Sequence, residues 1–286
     1  LPAEIWSSIF DHVKSRRQLI QCRLVCKAWD PLAERAMFGQ VLFFGNINTL
    51  TVFYHHLVRK PFLGRCIKKI HFEGLNLDSL PFHKSFLELA FTPSIKSVQG
   101  IDSDESFKIM LDIAQGSADR FKKLAYLSLP PTFHKSIHTE LALCFRKTLK
   151  ELVFMIGFGD ESYQSELRSL QPLLNRLDKF ESLASLSIEL SGEIDSMDIF
   201  DDILNRCNHL LKLTIGIDNF RDSAWLGREE MREWMVRNVT KCSNACGLHI
   251  TFMHNPQIVE YLLYKYPNAN KVVLTGHGLE EREEEI

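Results

Sequence analysis

The sequence predicts an α/β protein in which a small three-helix domain precedes an irregular solenoid of parallel strands alternating with helices. Two observations predict this fold class. Residues 1–40 carry three short apolar stripes at helical spacing. The rest of the 286-residue chain repeats a leucine or isoleucine pattern, L-x-x-L-x-L. Its copies lie roughly 24 to 35 residues apart, an interval typical of solenoid repeats.

The first stripe predicts a helix over residues 3–13, because Ile5 and Ile9 recur at four-residue spacing beside aromatic residues. Two more short helices are predicted over 18–25 and 29–38. Helices of this size bury little surface among themselves, so the domain should need a covering partner. From the residues alone, a small helical cap on the following domain is the alternative.

These residues resemble the F-box family, whose pattern begins Leu-Pro-x-Glu-Ile and continues through Ile-Phe. It returns with Leu-x-x-Cys-x-Leu-Val-Cys-Lys-x-Trp, then Leu-Ala and a closing Phe. The matching residues are Leu1, Pro2, Glu4, Ile5, Ile9, Phe10, Leu19, Cys22, Leu24, Val25, Cys26, Lys27, Trp29, Leu32, Ala33 and Phe38.

Members of that family dock on the Skp-type adaptor of cullin ubiquitin ligases. The resemblance therefore implies a set of residues that contact the adaptor or support those contacts. They are Leu1, Pro2, Ile5, Ile9, Leu19, Val25 and Trp29.

The repeated pattern predicts short strands with one buried face. Its clearest copies are Ile67-Ile70-Phe72, Leu124-Leu127-Leu129, Leu149-Leu152-Phe154, Leu183-Leu186-Ile188 and Leu210-Leu213-Ile215; weaker copies are Ile95-Val98, Leu248-Ile250 and Val272-Leu274. Helical periodicity fills residues 79–91, 105–114, 136–145, 163–177, 197–204, 228–239 and 256–264. A strand, a helix and a strand at this interval imply parallel strands joined by crossovers.

The repeats resemble leucine-rich repeats, and an F-box followed by them resembles the leucine-rich-repeat class of F-box proteins. That family usually places an asparagine or cysteine three residues after the third apolar position. This chain has Leu75, Thr132, Gly157, Ser191 and Asp218 there. The resemblance thus implies a distorted solenoid, and a non-repeating α/β domain is the structural alternative.

The predicted domains are an F-box at 1–41, a leucine-rich-repeat-like domain at 42–278 and an acidic tail at 279–286. Residues 43–47 are predicted to be a linker, and 52–58 a first helical cap. The tail is predicted to be a short solvated helix or disordered, because the sequence shifts there abruptly to acidic residues.

Composition narrows the classes of partner. The formal net charge of -2, from 34 basic and 36 acidic residues, does not favour nucleic acid or a membrane surface. No apolar run approaches the length of a membrane span. Seven irregularly spaced cysteines indicate free thiols in a reducing compartment, so the cytoplasm or nucleus is the expected location.

Catalytic and metal-binding patterns are weak. The sequence contains no G-x-S-x-G, P-loop or H-E-x-x-H motif. Cys242, Cys246, His249 and His254 are all ligand types, but their spacing does not resemble a zinc finger. We therefore expect no metal, no cofactor and no catalytic residue.

The function that follows is a non-enzymatic substrate receptor of an SCF-type cullin ubiquitin ligase. The F-box would bind the adaptor, and the repeats would bind an unknown protein substrate. Alternatives are an F-box scaffold outside ubiquitin transfer and an enzyme with a site assembled from distant residues. Strand positions that flank the buried ones are the predicted substrate contacts. These are His71, Glu73, Tyr126, Ser128, Val153, Met155, Ser187, Glu189, Thr214 and Thr251.

Overall fold

The structure, a computed structural model, describes residues 1–101, 103–116, 120–127, 135–158, 161–192, 197–218, 227–244, 246–251, 256–276 and 279–284. The chain divides into two compact units, Leu1–Pro131 and Thr132–Ile286. Both units combine helices with parallel strands, as the sequence predicts. The predicted domain boundary after residue 41 stays a prediction, since the most compact division falls elsewhere.

The first unit begins with three helices that precede a parallel sheet. Its helices are α1 (Ala3–His12), α2 (Arg16–Val25), α3 (Asp30–Gly39), α4 (Ile47–Arg59), α5 (His83–Ala90) and α6 (Asp104–Gln115). Its strands are β1 (Val41–Phe44), β2 (Lys69–Phe72) and β3 (Ser97–Gln99), which pair in the order β1-β2-β3. Consecutive strands are neighbours, so each helical crossover returns the chain to the next position in the sheet.

Aromatic side chains fill the core beneath this sheet. Phe44 and Phe72 alternate with outward-facing residues on their strands and are 2% and 1% exposed. Phe44 lies 5.1 Å from Phe53 of α4 and 6.1 Å from Phe86 of α5, measured between ring centroids. Phe38 of α3 lies 5.1 Å from Phe53, so the aromatic packing continues into the three-helix domain.

The second unit alternates helices with a larger, mostly parallel sheet. Its helices are α7 (Lys135–Cys144), α8 (Glu161–Leu174), α9 (Met197–Asn205), α10 (Arg228–Asn238) and α11 (Pro256–Lys265). Its strands are β4 (Glu151–Phe158), β5 (Ser185–Gly192), β6 (Lys212–Asp218), β7 (Gly247–Thr251), β8 (Lys271–Gly276) and β9 (Leu279–Glu284). They pair in chain order, parallel from β4 to β8.

A buried ionic cluster joins two helices of this unit. The Lys265 ammonium is fully buried and donates to Asp201 Oδ1 at 2.6 Å and to Asn205 Oδ1 at 2.7 Å. The Tyr261 hydroxyl donates to the same Asp201 oxygen at 2.6 Å. Burial and the Asp201 charge raise the pKa of Tyr261, so its hydroxyl remains a donor. The cluster therefore ties α9 to α11 with every charged group paired.

Two local predictions are wrong. Residues 43–47 are not a linker, because Phe43 and Phe44 belong to β1 and α4 begins at Ile47. Within the tail, residues 279–284 form β9, which pairs antiparallel with β8, instead of a helix or a disordered segment. The copy at Leu124 reaches Leu129, which lies outside the described residues, and its described part forms an isolated bridge between Tyr126 and Ser97. No helix within the described ranges is both long and apolar enough to cross a membrane.

Gly100 provides a test of the turn after β3. Its φ is +72°, and a Cβ atom there would overlap the carbonyl oxygen of Phe72 in the neighbouring strand. Gly100→Ala should lower the free energy of unfolding by at least about 2 kcal/mol, because it adds a backbone clash to an unfavourable φ. Urea denaturation measures this loss.

Gly74 is the matched control. Its φ is +61°, but a Cβ atom there would meet nothing within 4 Å. Gly74→Ala should cost only about 1 kcal/mol, the penalty of the left-handed conformation. Equal losses for the two variants would contradict the close strand approach at Gly100.

Candidate functional site

The three-helix domain has its own small core. Phe10, Leu19, Ala33 and Ala36 are buried together. Trp29 covers them, with its ring centroid 4.4 Å from that of Trp6 and 5.3 Å from that of Phe10. This packing joins α1 to α2 and α3, and it places the aromatic side chains of the domain against one another.

Outside this core, α1 and α2 carry apolar side chains with no cover. On α1, Ile5 and Ile9 are one helical turn apart and are 46% and 42% exposed, and Leu1 before the helix is 80% exposed. At the end of α2, Leu24 and Val25 are 76% and 62% exposed. We call these five residues the exposed apolar set. Large apolar side chains left in water in this number are typical of a partner-binding surface.

A buried carboxylate fixes the domain to the helix that follows it. Glu34 of α3 is 2% exposed. Arg23 Nη2 donates to its Oε1 at 3.1 Å, and Lys60 Nζ donates to both of its oxygens at 2.9 Å. His56 Nε2 lies 3.1 Å from the same Oε1. Arg23 also donates to Asp30 at 2.6 Å, so α2, α3 and α4 meet in one ionic network.

The sheet of the second unit aligns its half-buried residues in rows. Val153, Ser187 and Thr214 are in register on β4, β5 and β6. In the next row, Met155 and Glu189 are in register with Gly216, which is followed by Thr251 on β7. A Cβ atom at Gly216 would lie 3.2 Å from Thr251 Oγ1 and 3.4 Å from Glu189 Cγ. These rows form a shallow, mixed polar and apolar strip along the strands.

The small sheet of the first unit has a similar row. Phe43, His71 and Gln99 are in register across β1, β2 and β3. His71 Nδ1 lies 2.9 Å from Gln99 Oε1, and its ring centroid lies 5.3 Å from that of Phe43. Glu73 is exposed just beyond β2.

Comparison with known families supports a role for the three-helix domain. Residues 1–37 match the family described as F-box-like. The segment is therefore similar to an F-box, and we call it the F-box-like domain. No curated protein is similar enough to the chain to give a significant match.

The F-box-like domain places the predicted adaptor residues in two groups. Leu1, Pro2, Ile5, Ile9 and Val25 are exposed. Trp29 is half-buried against the other aromatic rings, and Leu19 is fully buried. In this structure those two residues therefore act as packing supports, the second of the two roles that the resemblance implies.

Two further apolar residues of the F-box-like domain escaped the prediction. Leu24 is more exposed than Val25, and Ile20 is 43% exposed on the same helix. Leu24 belongs to the family pattern, so the signal for it was present in the sequence. Ile20 directly follows the core residue Leu19. Adjacent residues on a helix do not face each other, so their side chains point in different directions.

The predicted substrate contacts lie where the register placed them. Those on β2 and β4 to β7 alternate with buried residues and share the half-buried side of their strands, while Tyr126 forms its bridge with Ser97. Ser128 lies outside the described residues. Their role in binding a substrate stays a prediction.

Sequence reasoning missed a serine, histidine and aspartate arrangement in the first unit. Ser106 Oγ lies 2.8 Å from His83 Nε2, and His83 Nδ1 lies 3.5 Å from Asp78 Oδ1. Ser103, the N-cap residue of α6, donates to Asp78 and accepts from the Ser106 backbone N–H at 3.1 Å. Ser106 is 0% exposed, so no substrate can reach its hydroxyl. The arrangement therefore caps α6 and does not resemble an accessible nucleophile.

The described cysteine and histidine residues near β7 are buried or hydrogen-bonded within the second unit. Cys242 and Cys246 are buried, and burial raises the pKa of the Cys246 thiol to about 11, which disfavours a thiolate ligand. His249 Nε2 lies 3.3 Å from Thr275 Oγ1, and His254 lies outside the described residues. Among the residues described, no group of three potential ligands could hold a metal ion.

The Glu34 network should contribute measurably to stability. Glu34→Gln removes the charge that neutralises Arg23 and Lys60, whose side chains are 30% and 38% exposed. We expect a loss of about 2 to 3 kcal/mol in the free energy of unfolding. This is less than the full cost of breaking a buried ion pair, because both cations are partly exposed to water. Urea denaturation at pH 7 measures the loss.

An exposed ion pair supplies the control for Glu34. Glu233 pairs with Arg237 at 2.8 Å, and both side chains are largely in water. Glu233→Gln should change stability by less than about 0.5 kcal/mol. A loss at Glu34 no larger than this would contradict the network's role.

His83 should make the stability of the protein depend on pH. Desolvation lowers the pKa of His83, although Asp78 and Glu105 act in the opposite direction. The unfolded chain therefore binds the proton more readily. The stability that neutral His83 contributes is complete above the unfolded pKa of about 6.5 and is lost as pH falls from there towards the lower folded value.

Urea denaturation at pH 7.5 and 5.5 tests this with the wild type and His83→Gln. The wild type should lose more stability than the variant between the two pH values, because glutamine does not titrate. Identical pH dependence would show that His83 is not a source of acid sensitivity.

Proposed function

We propose that this protein is the substrate-recognition subunit of an SCF-type cullin ubiquitin ligase. The F-box-like domain binds a Skp-type adaptor, and the strand rows bind a protein substrate. The observation that carries the proposal is the exposed apolar set, which lies on an F-box-like domain whose own core is already complete.

The energetics of this set support a protein partner. Burying one large aliphatic side chain contributes about 1.5 to 3 kcal/mol, so several together can stabilise a tight complex. The aromatic rings of Trp6, Phe10 and Trp29 pack against one another within the domain. The aliphatic side chains of α1 and α2 remain for the adaptor.

We further propose that the strands belong to an irregular leucine-rich-repeat-like solenoid. Three features support this interpretation: the strands pair in chain order, helices or turns separate them, and the repeated apolar residues are buried in register. Leu152, Leu186, Leu213 and Leu248 form one such buried row. The rows beside it then present a continuous surface for a substrate.

In this role the protein performs no chemistry of its own. It raises the effective concentration of a substrate lysine near the charged conjugating enzyme. We place it in the cytoplasm or nucleus, and the seven cysteines, all free, support a reducing compartment.

Co-purification with a Skp-type adaptor and a cullin tests the proposal. The double variant Ile5→Asp and Val25→Asp places carboxylates in the exposed apolar set while sparing Trp29, whose removal would damage the core. We expect it to lose adaptor affinity about thirtyfold or more, as for substitutions of interface hot spots. Val58→Asp is the matched control, since Val58 is 49% exposed on α4, outside the F-box-like domain.

The outcomes separate the alternatives. The receptor is supported if the wild type and the control each recover adaptor and cullin while the double variant recovers neither of them. Recovery of adaptor alone favours a scaffold outside ubiquitin transfer. If the folded wild type binds no adaptor, the proposal is wrong.

A further inference from the structure

A cavity of about 340 Å³ opens between α2, α3, β1 and α4 in the first unit. Its wall is mainly apolar, and the side chains that form most of it are Met37, Phe38, Leu42, Phe44, Val52 and Phe53. The volume lies at the lower end of the range for small-molecule sites. Four of these side chains are aromatic or sulfur-containing, so the wall offers a polarizable surface to an apolar group.

The basic side chains around the cavity differ in whether they already have an acidic partner. Arg23 is held by Asp30 and Glu34, and His56 faces Glu34 with one ring nitrogen. Arg16, the first residue of α2, lines the same cavity from its exposed rim. Within the residues that the structure describes, the side chain of Arg16 makes no hydrogen bond or ion pair. Its guanidinium is the cation that remains available to a ligand.

The titratable side chains in the described lining of the cavity are those of Arg16, Arg23 and His56, with no aspartate or glutamate among them. Arg23 and His56 contact Glu34, which lies outside that lining. Desolvation beside the apolar wall lowers the pKa of Arg16, although this group keeps its charge at neutral pH. A partly desolvated and unpaired cation next to an apolar space is complementary to an anion with an apolar body.

We propose that this cavity binds a small carboxylate with an apolar body, its carboxylate on Arg16 and its body between Met37, Phe38 and Phe53. The space corresponds to about eleven water volumes, enough for a body of roughly eight to twelve non-hydrogen atoms. The cavity lies entirely within the first unit, and ligand binding there does not depend on adaptor binding.

Calorimetric titration of the full chain with three ligands that share one tail tests the charge requirement. Octanoate, octan-1-ol and octylammonium present an anion, a neutral group and a cation below their aggregation concentrations. Octanoate should bind best and octylammonium worst, because only the carboxylate pairs with Arg16. Equal affinity of all three, or absence of octanoate binding, would overturn the proposal.

Three variants locate the binding. Arg16→Gln should weaken octanoate binding at least about tenfold and leave octan-1-ol unchanged, since hydrogen bonds to charged groups are the stronger ones. Val52→Glu, at a position 71% exposed on the cavity rim, should weaken octanoate by like-charge repulsion. Arg17→Gln is the control, because Arg17 is equally charged but does not line the cavity.

Thermal melts of each variant separate a lost contact from a lost fold. Weakened octanoate binding by Arg16→Gln with an unchanged melting temperature supports the site. Equal effects of Arg16→Gln and Arg17→Gln would indicate general attraction to positive charge and would overturn it.

Discussion

The burial of the Glu34 carboxylate is the interaction on which the first unit depends. A carboxylate this far from water is unstable without compensation, and its compensation comes from α2 through Arg23 and from α4 through His56 and Lys60. The F-box-like helices are thereby joined to α4 by charge as well as by the aromatic contact of Phe38 with Phe53. The F-box-like helices held in this way present their exposed apolar side chains from a fixed position relative to the first strands.

The same network borders the cavity. Arg23 and His56 each face Glu34 on one side and the apolar space on the other. Both side chains already have Glu34 as a partner, which leaves the Arg16 guanidinium available to a ligand. The ionic network and the cavity therefore use neighbouring atoms for different purposes: one secures the helices, and the other offers a single charged contact next to hydrocarbon.

Periodicity made most of the fold predictable. The apolar residues of β5 and β6 and the stripes of α9 and α11 are local signals, and the structure places these elements within a few residues of the predicted ranges. β1 was missed because its partner β2 begins 28 positions later in register, at Val41 and Lys69, and two of its four residues, Phe43 and Phe44, were assigned to a linker. The Glu34 network also joins residues 11 to 26 positions apart, so no sequence window contains it. Within the F-box-like domain, the family pattern did not predict which residues face solvent, since Leu19 and Ile20 are adjacent yet are 0% and 43% exposed.

The acidic strand β9 also changes what the end of the larger sheet can do. By pairing antiparallel with β8, it occupies the backbone groups of that strand and becomes the last strand in the order. An unpaired edge strand is a template on which another chain can add and start a fibre. Strand β9 takes up the open edge of β8, so in the described part of the chain the edge that another strand could join is that of β9.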